Sequence, residues 1–328
     1  MTIAISLKVH EGLVLAADSA ATVMAQAPDG APFVVNVYNN ANKVFNLLKG
    51  SPIGASTWGA GAIGKSSIAT LMKDLRRRFS GEDESYRNWR IDPKSYSMSD
   101  IADKVRQFIF EENYEPFFSD WKEKPDLGLF VVGYSSRASL AEEYQITIQG
   151  GNCAPPLLLR DQDSSGMTWN GQTEAITRLV LGFSPMLPDI LASNFGILPQ
   201  NQPAIGQVLM TTLNANFIQE AMPLQDAIDL VAFLADVAAK YSQFAPGASV
   251  VGGPIEIAAI SKHEGFKWVQ RKYYFESQLN PSIPDIDRET FKASSIPAAR
   301  KAAPSKVGAT KKVASTTHKS TQTKRRKV

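Results

Sequence analysis

The alternation of apolar and polar residues at the start of the chain is the pattern that most restricts its fold. Apolar side chains recur at every second position, at Ile3, Ile5, Leu7 and Val9. This period of two predicts a half-buried β-strand. A polar turn follows at residues 10–12, and residues 13–17 form a short apolar strand. With the turn centred near residue 11, antiparallel pairing places Asp18 opposite Ala4 and within side-chain reach of Thr2.

A second hairpin is predicted further along the chain. Residues 43–48 and 52–58 are largely apolar, and they flank a short turn that contains Gly and Ser. With this turn centred near residue 50, Lys43 lies opposite Thr57 and close to Gly59. Each hairpin therefore brings one pair of candidate polar residues together.

The remaining periodicities predict an α+β fold. Helices are expected over residues 65–79, 99–112, 173–182, 206–219 and 224–241. Strands are expected over residues 127–134, 143–149, 156–159, 255–261 and 265–271. This order of elements indicates helices packed outside a pair of mainly antiparallel sheets.

The charge of the chain is divided between an acidic body and a basic tail. The net charge is +3, but ten basic residues and no acidic ones lie from Arg300 onward, so residues 1–299 carry a net charge of −7. The end of the chain is rich in Ala, Ser, Thr, Lys and Pro and cannot bury much apolar surface. We therefore expect a folded domain over residues 1–280 and a disordered basic tail over residues 281–328.

The tail ends in a basic cluster, residues 323–328, that resembles a nuclear localisation signal. Nucleic acid is expected to bind at most through this tail and by charge alone, because the chain has no aromatic residue from Ser294 onward on which bases could stack. A solvated tail that aids solubility is the favoured interpretation.

Composition also restricts the compartment and the cofactors. The single cysteine, Cys153, excludes an intrachain disulfide framework and fits a reducing cytoplasm. Three widely spaced histidines are a poor basis for a zinc site, so no metal or other cofactor is expected. The chain has no apolar run of ~20 residues and no signal-peptide pattern at its start, so no membrane partner is expected.

Several motifs resemble those of proteasome β-subunits and their bacterial homologue HslV, which are N-terminal-nucleophile hydrolases. Thr2 opens the first strand, and residues 12–18 match the Gly-x-x-x-Ala-x-Asp pattern of that family. Residues 43–45, 54–59 and 252–258 resemble three further family segments. The resemblance implies a four-layer αββα sandwich of two mainly antiparallel sheets, and a homo-oligomeric ring with an ATPase as a candidate partner. It also implies a threonine endopeptidase that cleaves peptides or unfolded proteins.

The resemblance assigns roles to the paired residues. Removal of Met1, which the small Thr2 side chain should permit, leaves a hydroxyl nucleophile beside a free α-amine that can act as its base. The ammonium of Lys43 would stabilise the developing alkoxide, Asp18 would orient that ammonium, and the N–H of Gly59 would bind the oxyanion. An auxiliary Asp of the family is absent before residue 252.

Two further residues are expected to replace family positions that this chain lacks. Ser249 could stand in for an auxiliary serine, and Asn170 is expected in place of a supporting serine in the middle strand.

Two alternatives to a peptidase remain open. The first is a non-catalytic structural subunit with the same fold. The second is a P-loop nucleotide-binding protein, because residues 59–66 match Gly-x-x-x-x-Gly-Lys-[Ser/Thr] between an expected strand and an expected helix. The apolar strand at residues 127–134 lacks the terminal Asp that would hold magnesium in such a protein, so the hydrolase is favoured.

Overall fold

Two antiparallel sheets organise the computed structural model, which describes residues 2–26, 32–197, 199–246 and 251–272. The strands are β1 (Ile3–Val9), β2 (Gly12–Ala17), β3 (Ala21–Gln26), β4 (Pro32–Tyr38), β5 (Val44–Asn46), β6 (Ile53–Gly59), β7 (Ala62–Ile63), β8 (Ser66–Ser67), β9 (Leu127–Gly133), β10 (Glu142–Gln149), β11 (Asn152–Cys153), β12 (Leu157–Arg160), β13 (Gly166–Gly171), β14 (Glu256–Ser261) and β15 (Gly265–Gln270). The first sheet has the order β13-β1-β2-β14-β15, and the second has the order β11-β10-β9-β6-β5, with β12 also paired to β10. β3 pairs with β4, and β7 pairs with β8.

Seven α-helices are described. They are α1 (Ile68–Ser80), α2 (Met98–Arg106), α3 (Glu115–Phe118), α4 (Glu174–Leu181), α5 (Leu187–Phe195), α6 (Gln202–Leu213) and α7 (Leu224–Phe244). A wider π-helical segment, Gln107–Tyr114, joins α2 to α3, and 3-10 turns lie at Glu84–Trp89 and Pro199–Asn201. Helix α1 has both of its ends capped: the Ser67 hydroxyl accepts from the Thr70 N–H, and Gly81 ends the helix at a φ of 75°.

The two faces of β1 enter different hydrophobic cores. Ile3, Ile5 and Leu7 pack in one core with residues of α4 and α7. Ala4 points the other way, into a second core that also contains Leu15 and, from the second sheet, Phe130 and Val132. A third core joins α1 and α2 to the second sheet. Because strand side chains alternate, Thr2 shares the face of Ala4 and points between the two sheets.

The predicted α+β class is confirmed, and most of the predicted elements are present. The first hairpin differs by one position from the prediction: its turn lies between Val9 and Gly12, so Ala17 pairs with Ala4. Asp18 instead lies opposite Ile3, to whose carbonyl it donates a backbone hydrogen bond of 3.3 Å. The turn has two residues rather than three, which moves its centre by half a position.

The second hairpin has the predicted register. Val44 pairs with Ser56, and the Thr57 N–H donates to the Lys43 carbonyl at 3.0 Å. The sequence pattern did not predict the β3–β4 hairpin, β13 or helix α5.

The chain divides into a unit Met1–Tyr274 and a unit Phe275–Val328. The predicted tail, residues 281–328, lies outside the described residues, so its disorder and the boundary at residue 280 remain predictions. Across the residues that the structure does describe, no helix has the length and apolar character needed to cross a membrane.

Candidate active site

Thr2, Asp18 and Lys43 meet in a buried cluster between the two sheets. The Lys43 ammonium donates to the Thr2 hydroxyl at 2.6 Å and to Asp18 Oδ1 at 2.7 Å. Its third hydrogen bond goes to the Ala20 carbonyl. Each of the three hydrogens of the ammonium therefore has an acceptor, and all three side chains of the cluster are buried. The first predicted hairpin had placed Thr2 near Asp18, and the motif resemblance had added Lys43 to this pair.

Asp18 is held by four hydrogen bonds. Its Oδ1 accepts from Lys43 and from the Ile3 N–H at 3.1 Å. Its Oδ2 accepts from the N–H groups of Ala20 and Gly252, at 3.1 and 3.0 Å. The carboxylate therefore joins the start of β1, the end of β2 and the segment before β14. Such a network fixes both the position of Asp18 and the direction in which it holds the lysine.

The backbone of Thr2 is fixed from the opposite side by the end of β13. The Gln172 N–H donates to the Thr2 carbonyl at 2.7 Å. Gly171, with a φ of +96°, lies so close that a Cβ at this position would be 1.9 Å from the Thr2 carbonyl oxygen. Only glycine fits this approach, so the start of the chain lies tightly against β13.

Burial lowers the pKa of Lys43 below its ordinary value of 10.5. The negative charge of Asp18 and its hydrogen bond act in the other direction and raise this pKa. Two more distant charges also act on the pKa: Lys272 lowers it and Glu256 raises it. The neighbouring carboxylates therefore stabilise the protonated form of Lys43 against the effect of burial.

Gly59 lies at the last position of β6, with a φ of +85°. On the neighbouring strand, β9, its partner is Leu127, and a Cβ on Gly59 would meet the Asp126 carbonyl oxygen at 2.4 Å. The Thr57 N–H points towards Lys43, and N–H groups two positions apart point to the same side of a strand. The Gly59 N–H is thereby directed to the side of β6 on which Lys43 lies.

The other two candidates are not brought to Thr2 by the described contacts. Asn170 lies on β13 opposite Ala4, and its amide donates to the Gln145 side chain at 3.2 Å. Ser249 lies outside the described residues. The supporting roles of Asn170 and Ser249 remain predictions.

In the described part of the chain, no group of three or more His, Cys, Asp or Glu side chains could hold a metal ion.

The segment that matches the P-loop pattern does not have phosphate-loop geometry. It forms a small hairpin in which Ile63 pairs with Ser66, and Lys65 lies in the turn. Helix α1 begins only at Ile68. A phosphate loop instead places its Lys and Ser at the N-terminus of the helix, where the N–H groups of the helix and loop surround the phosphate. The strand before the segment also belongs to an antiparallel sheet.

The sequence interpretation missed a second buried ion pair beside the cluster. Lys272 Nζ lies 3.2 Å from Glu256 Oε2, and both side chains are almost fully buried. The same ammonium donates to the Ser19 hydroxyl and to the Ala41 carbonyl, each at 2.6 Å. Ser19 follows Asp18 directly, so the second pair adjoins the first. The partners Ser19 and Lys272 are separated by 253 positions in the chain, and no local pattern connects them.

Comparison with known proteins gives little support for a family assignment. No protein-family model and no curated protein matches the chain. Among solved structures, it is similar to Anbu (ancestral beta-subunit) from Yersinia bercovieri, with 13% sequence identity and a TM-score of 0.42 over 82% of this chain and 88% of that chain. A likeness this weak supports no conclusion about function.

The assignment of the sequence to the proteasome β-subunits and HslV is therefore wrong. The motifs that favoured it are short, and they coincide with the hairpin ends and glycine turns described above. Local geometry of this kind restricts a few positions and does not specify a family.

Proposed function

We propose that the chain is an N-terminal threonine hydrolase that cleaves amide bonds of peptides. The observation that carries this proposal is the Lys43 ammonium, which lies 2.6 Å from the Thr2 hydroxyl and 2.7 Å from the Asp18 carboxylate in a buried site. A buried lysine is costly, and this one is directed at a hydroxyl on the second residue of the chain. The proposal rests on this geometry and on no family membership.

The mechanism needs Met1 to be removed, which gives Thr2 a free α-amine. An α-amine has a pKa of roughly 7.7–8, so a substantial fraction is neutral near neutral pH. The amine takes the proton of the Thr2 hydroxyl while Oγ1 forms a bond to the carbonyl carbon of the substrate. The proton then passes to the leaving nitrogen as the C–N bond breaks, which leaves an ester on Thr2. Water then attacks the carbonyl carbon of this ester and gives one proton to the amine. The amine passes this proton to Oγ1 as the acyl–oxygen bond breaks, and the acyl part leaves as a carboxylic acid.

Lys43 and Asp18 act on the first step. The ammonium of Lys43 stabilises the alkoxide character that develops on Oγ1, and its positive charge lowers the pKa of the neighbouring amine. Asp18 keeps Lys43 charged and directed. We assign the oxyanion site to the Gly59 N–H, which is directed to the side of β6 that faces Lys43. One such donor contributes about 3–4 kcal/mol to lowering the barrier.

The fold around this site is inferred to be a four-layer αββα sandwich. The inference is supported by the three cores, of which one joins the sheets to each other and the other two join each sheet to helices. We also propose that the catalytic domain ends near residue 280 and that the tail beyond it is dispensable. A chain of residues 1–280 that unfolds at the temperature of the full chain would support the boundary, and a lower unfolding temperature would refute it.

We propose that the protein forms a homo-oligomer. Large apolar side chains are exposed on α5, α6 and α7, namely Phe195, Val208, Met210, Leu213, Phe233 and Phe244. Helices α5 and α6 contact each other, and exposed apolar side chains on neighbouring helices are typical of a surface that another copy covers. Light scattering coupled to size-exclusion chromatography tests the proposal, and a monomer at micromolar concentration would refute it. A ring shape and an ATPase partner remain predictions.

The decisive experiment is intact-mass and N-terminal analysis before and after incubation with a threonine-directed peptide epoxyketone. We expect loss of Met1 and a mass gain of one inhibitor localised to Thr2. Thr2→Ala should show no gain, and Thr2→Ser, which keeps a hydroxyl, should retain it. Retention of Met1 in the purified protein would refute the mechanism and favour the non-catalytic subunit.

Fluorogenic peptides extend the test to the substrate. Turnover of peptides that Thr2→Ala abolishes supports a peptidase, whereas turnover of small amides alone would restrict the proposal to an amidase.

The Lys65→Ala variant distinguishes the hydrolase from the P-loop alternative. We expect the wild-type chain not to bind ATP and the variant to keep full hydrolase activity. ATP binding that Lys65→Ala abolishes would favour the nucleotide-binding protein.

A further inference from the structure

A second ion pair braces the two segments that carry the lysine and the carboxylate of the site. The Lys272 ammonium donates to the Ser19 hydroxyl and to the Ala41 carbonyl, each at 2.6 Å. Ser19 belongs to the segment that begins with Asp18, and Ala41 belongs to the segment that leads into Lys43. Lys272 thus contacts both segments within two residues of the groups that act on Thr2.

The two segments are also joined to each other. The Ala41 N–H donates to the Ser19 carbonyl at 2.9 Å, and Lys43 donates to the Ala20 carbonyl. The Ser19 hydroxyl donates in turn to the Pro254 carbonyl at 2.5 Å, and its N–H donates to the Gly252 carbonyl at 3.0 Å. A shift of Lys272 would therefore be transmitted to both Asp18 and Lys43 through short hydrogen bonds.

Glu256 holds Lys272 in this place. It lies on β14 opposite Ala17, one residue before Asp18, and its Oε2 is 3.2 Å from the Lys272 ammonium. Both side chains are buried, at 2% and 6% exposure. Asp18, Lys43, Glu256 and Lys272, which we call the charge quartet, contain two carboxylates and two ammoniums. Burial of the four is tolerable because their charges cancel in pairs.

We propose that Lys272, held by Glu256, is a positioning residue that keeps Asp18 and Lys43 aligned with the Thr2 hydroxyl. This inference rests on the proposed hydrolase function, which it extends to a pair of residues that do not touch the nucleophile. A displacement of about 1 Å in a catalytic group can reduce the rate by ~100-fold. Lys272→Met, which keeps the length of the side chain and removes its charge and donors, should therefore slow epoxyketone modification of Thr2 by about 100-fold.

A pH titration distinguishes positioning from simple support of the fold. The charges that act on Lys43 are Asp18, Lys272 and Glu256: Lys272 lowers the pKa of Lys43, and the two carboxylates raise it. Lys272→Met should therefore raise the pKa of Lys43, and Glu256→Gln should lower it. The alkaline limb of the rate against pH should move in the same two directions. If Lys272 and Glu256 only stabilised the fold, the two substitutions would not move the alkaline limb in opposite directions.

The variants should be compared with a variant of an exposed lysine outside the charge quartet that also forms an ion pair. Lys240 lies on α7, is 66% exposed, and pairs with Asp236. Lys240→Met should leave both the rate and the pH profile unchanged. Lys272→Arg keeps the positive charge, so it should keep the alkaline limb of the wild-type protein. If Lys272→Met does not fold, Ser19→Ala removes one acceptor of Lys272 with a smaller change and should slow the modification.

The readout is the rate of mass gain on Thr2 across pH, together with the titration of the Lys43 ε-carbon by NMR in protein with ¹³C-labelled lysine. Slow modification and opposite pKa shifts in Lys272→Met and Glu256→Gln support the inference. A Lys272→Met variant that reacts at the wild-type rate would overturn it, as would a fall that is equal at every pH. If the wild-type Thr2 does not react at all, the hydrolase proposal fails, but the Lys43 titration still decides whether Lys272 acts on that lysine.

Discussion

Removal of the charge on Asp18 and removal of the charge on Lys43 should have unequal effects on stability. Asp18→Asn leaves the Lys43 ammonium buried without its counterion. An asparagine also has one acceptor oxygen in place of two, so its amide hydrogens face N–H donors on one side. Lys43→Met has the opposite result, because the Asp18 carboxylate keeps three backbone donors, at 3.0–3.1 Å.

The magnitudes follow from these partners. Removal of one partner of a buried ion pair costs about 3–5 kcal/mol, and we expect Asp18→Asn to lie in this range. Three backbone hydrogen bonds can hold a buried carboxylate, so Lys43→Met loses only the charged hydrogen bonds of the lysine, about 1.5–3 kcal/mol. Asp18→Asn should therefore be the less stable variant by roughly 2 kcal/mol.

The pH dependence gives a second test of the same reasoning. Burial already lowers the pKa of Lys43, and loss of Asp18 lowers it further. Between this lowered value and the ordinary value of 10.5, the unfolded chain binds more protons than the folded one. Stability contributed by Lys43 therefore rises with pH across that window. The cost of Asp18→Asn should shrink as the pH is raised towards 10.

Urea unfolding followed by tryptophan fluorescence measures both effects at a series of pH values. In thermal unfolding followed by the same fluorescence, the midpoint temperature of Asp18→Asn should fall by on the order of 10 °C at neutral pH. Equal losses in the two variants, or a cost of Asp18→Asn that does not change with pH, would refute the view that Asp18 is the counterion of a buried ammonium. The double variant should be more stable than Asp18→Asn, because it buries no unpaired lysine.

Two further predictions concern the surroundings of the site. Gly171→Ala should destabilise the protein and slow the reaction of Thr2, because the new Cβ would lie 1.9 Å from the Thr2 carbonyl oxygen. The control is Gly150→Ala. Gly150 has a φ of +55° and no atom near the position of the new Cβ, so this change should cost only the backbone strain of about 1–3 kcal/mol. Equal costs in the two alanine variants would contradict the close approach. Burial raises the pKa of Glu143, so the folded chain keeps a proton on this carboxyl above pH 4.5, where the unfolded chain loses it. The free energy of unfolding should therefore fall as the pH rises from 4.5 to the pKa of Glu143 in the folded chain. Glu143→Gln should remove this pH dependence in urea unfolding, and an unchanged pH dependence would show that Glu143 is not its source.

The parts of the fold that the sequence predicts are those set by local patterns. The first two hairpins follow from a period of two and from polar turns, and the second register is right because a turn fixes it within a few residues. Strand order is different in kind. β13 lies beside β1 and β14 beside β2, which are pairings between distant segments that depend on how whole faces pack. Helix α5 was missed because it lies in a short segment with no buried residue to give it a period.

The same distinction between local patterns and contacts of distant segments applies to the candidate site. The first hairpin brings Thr2 to Asp18 by local pairing alone, whereas Lys43 belongs to a second hairpin and was placed beside them only by the motif resemblance. The groups that hold them could not be predicted from the sequence. The Gln172 and Gly252 N–H groups are backbone donors that any residue other than proline offers, so the residue type carries no signal of their role. Sequence motifs therefore identify the candidate catalytic side chains of this chain, whereas the hydrogen bonds that orient them come from distant segments that only the folded structure brings into contact.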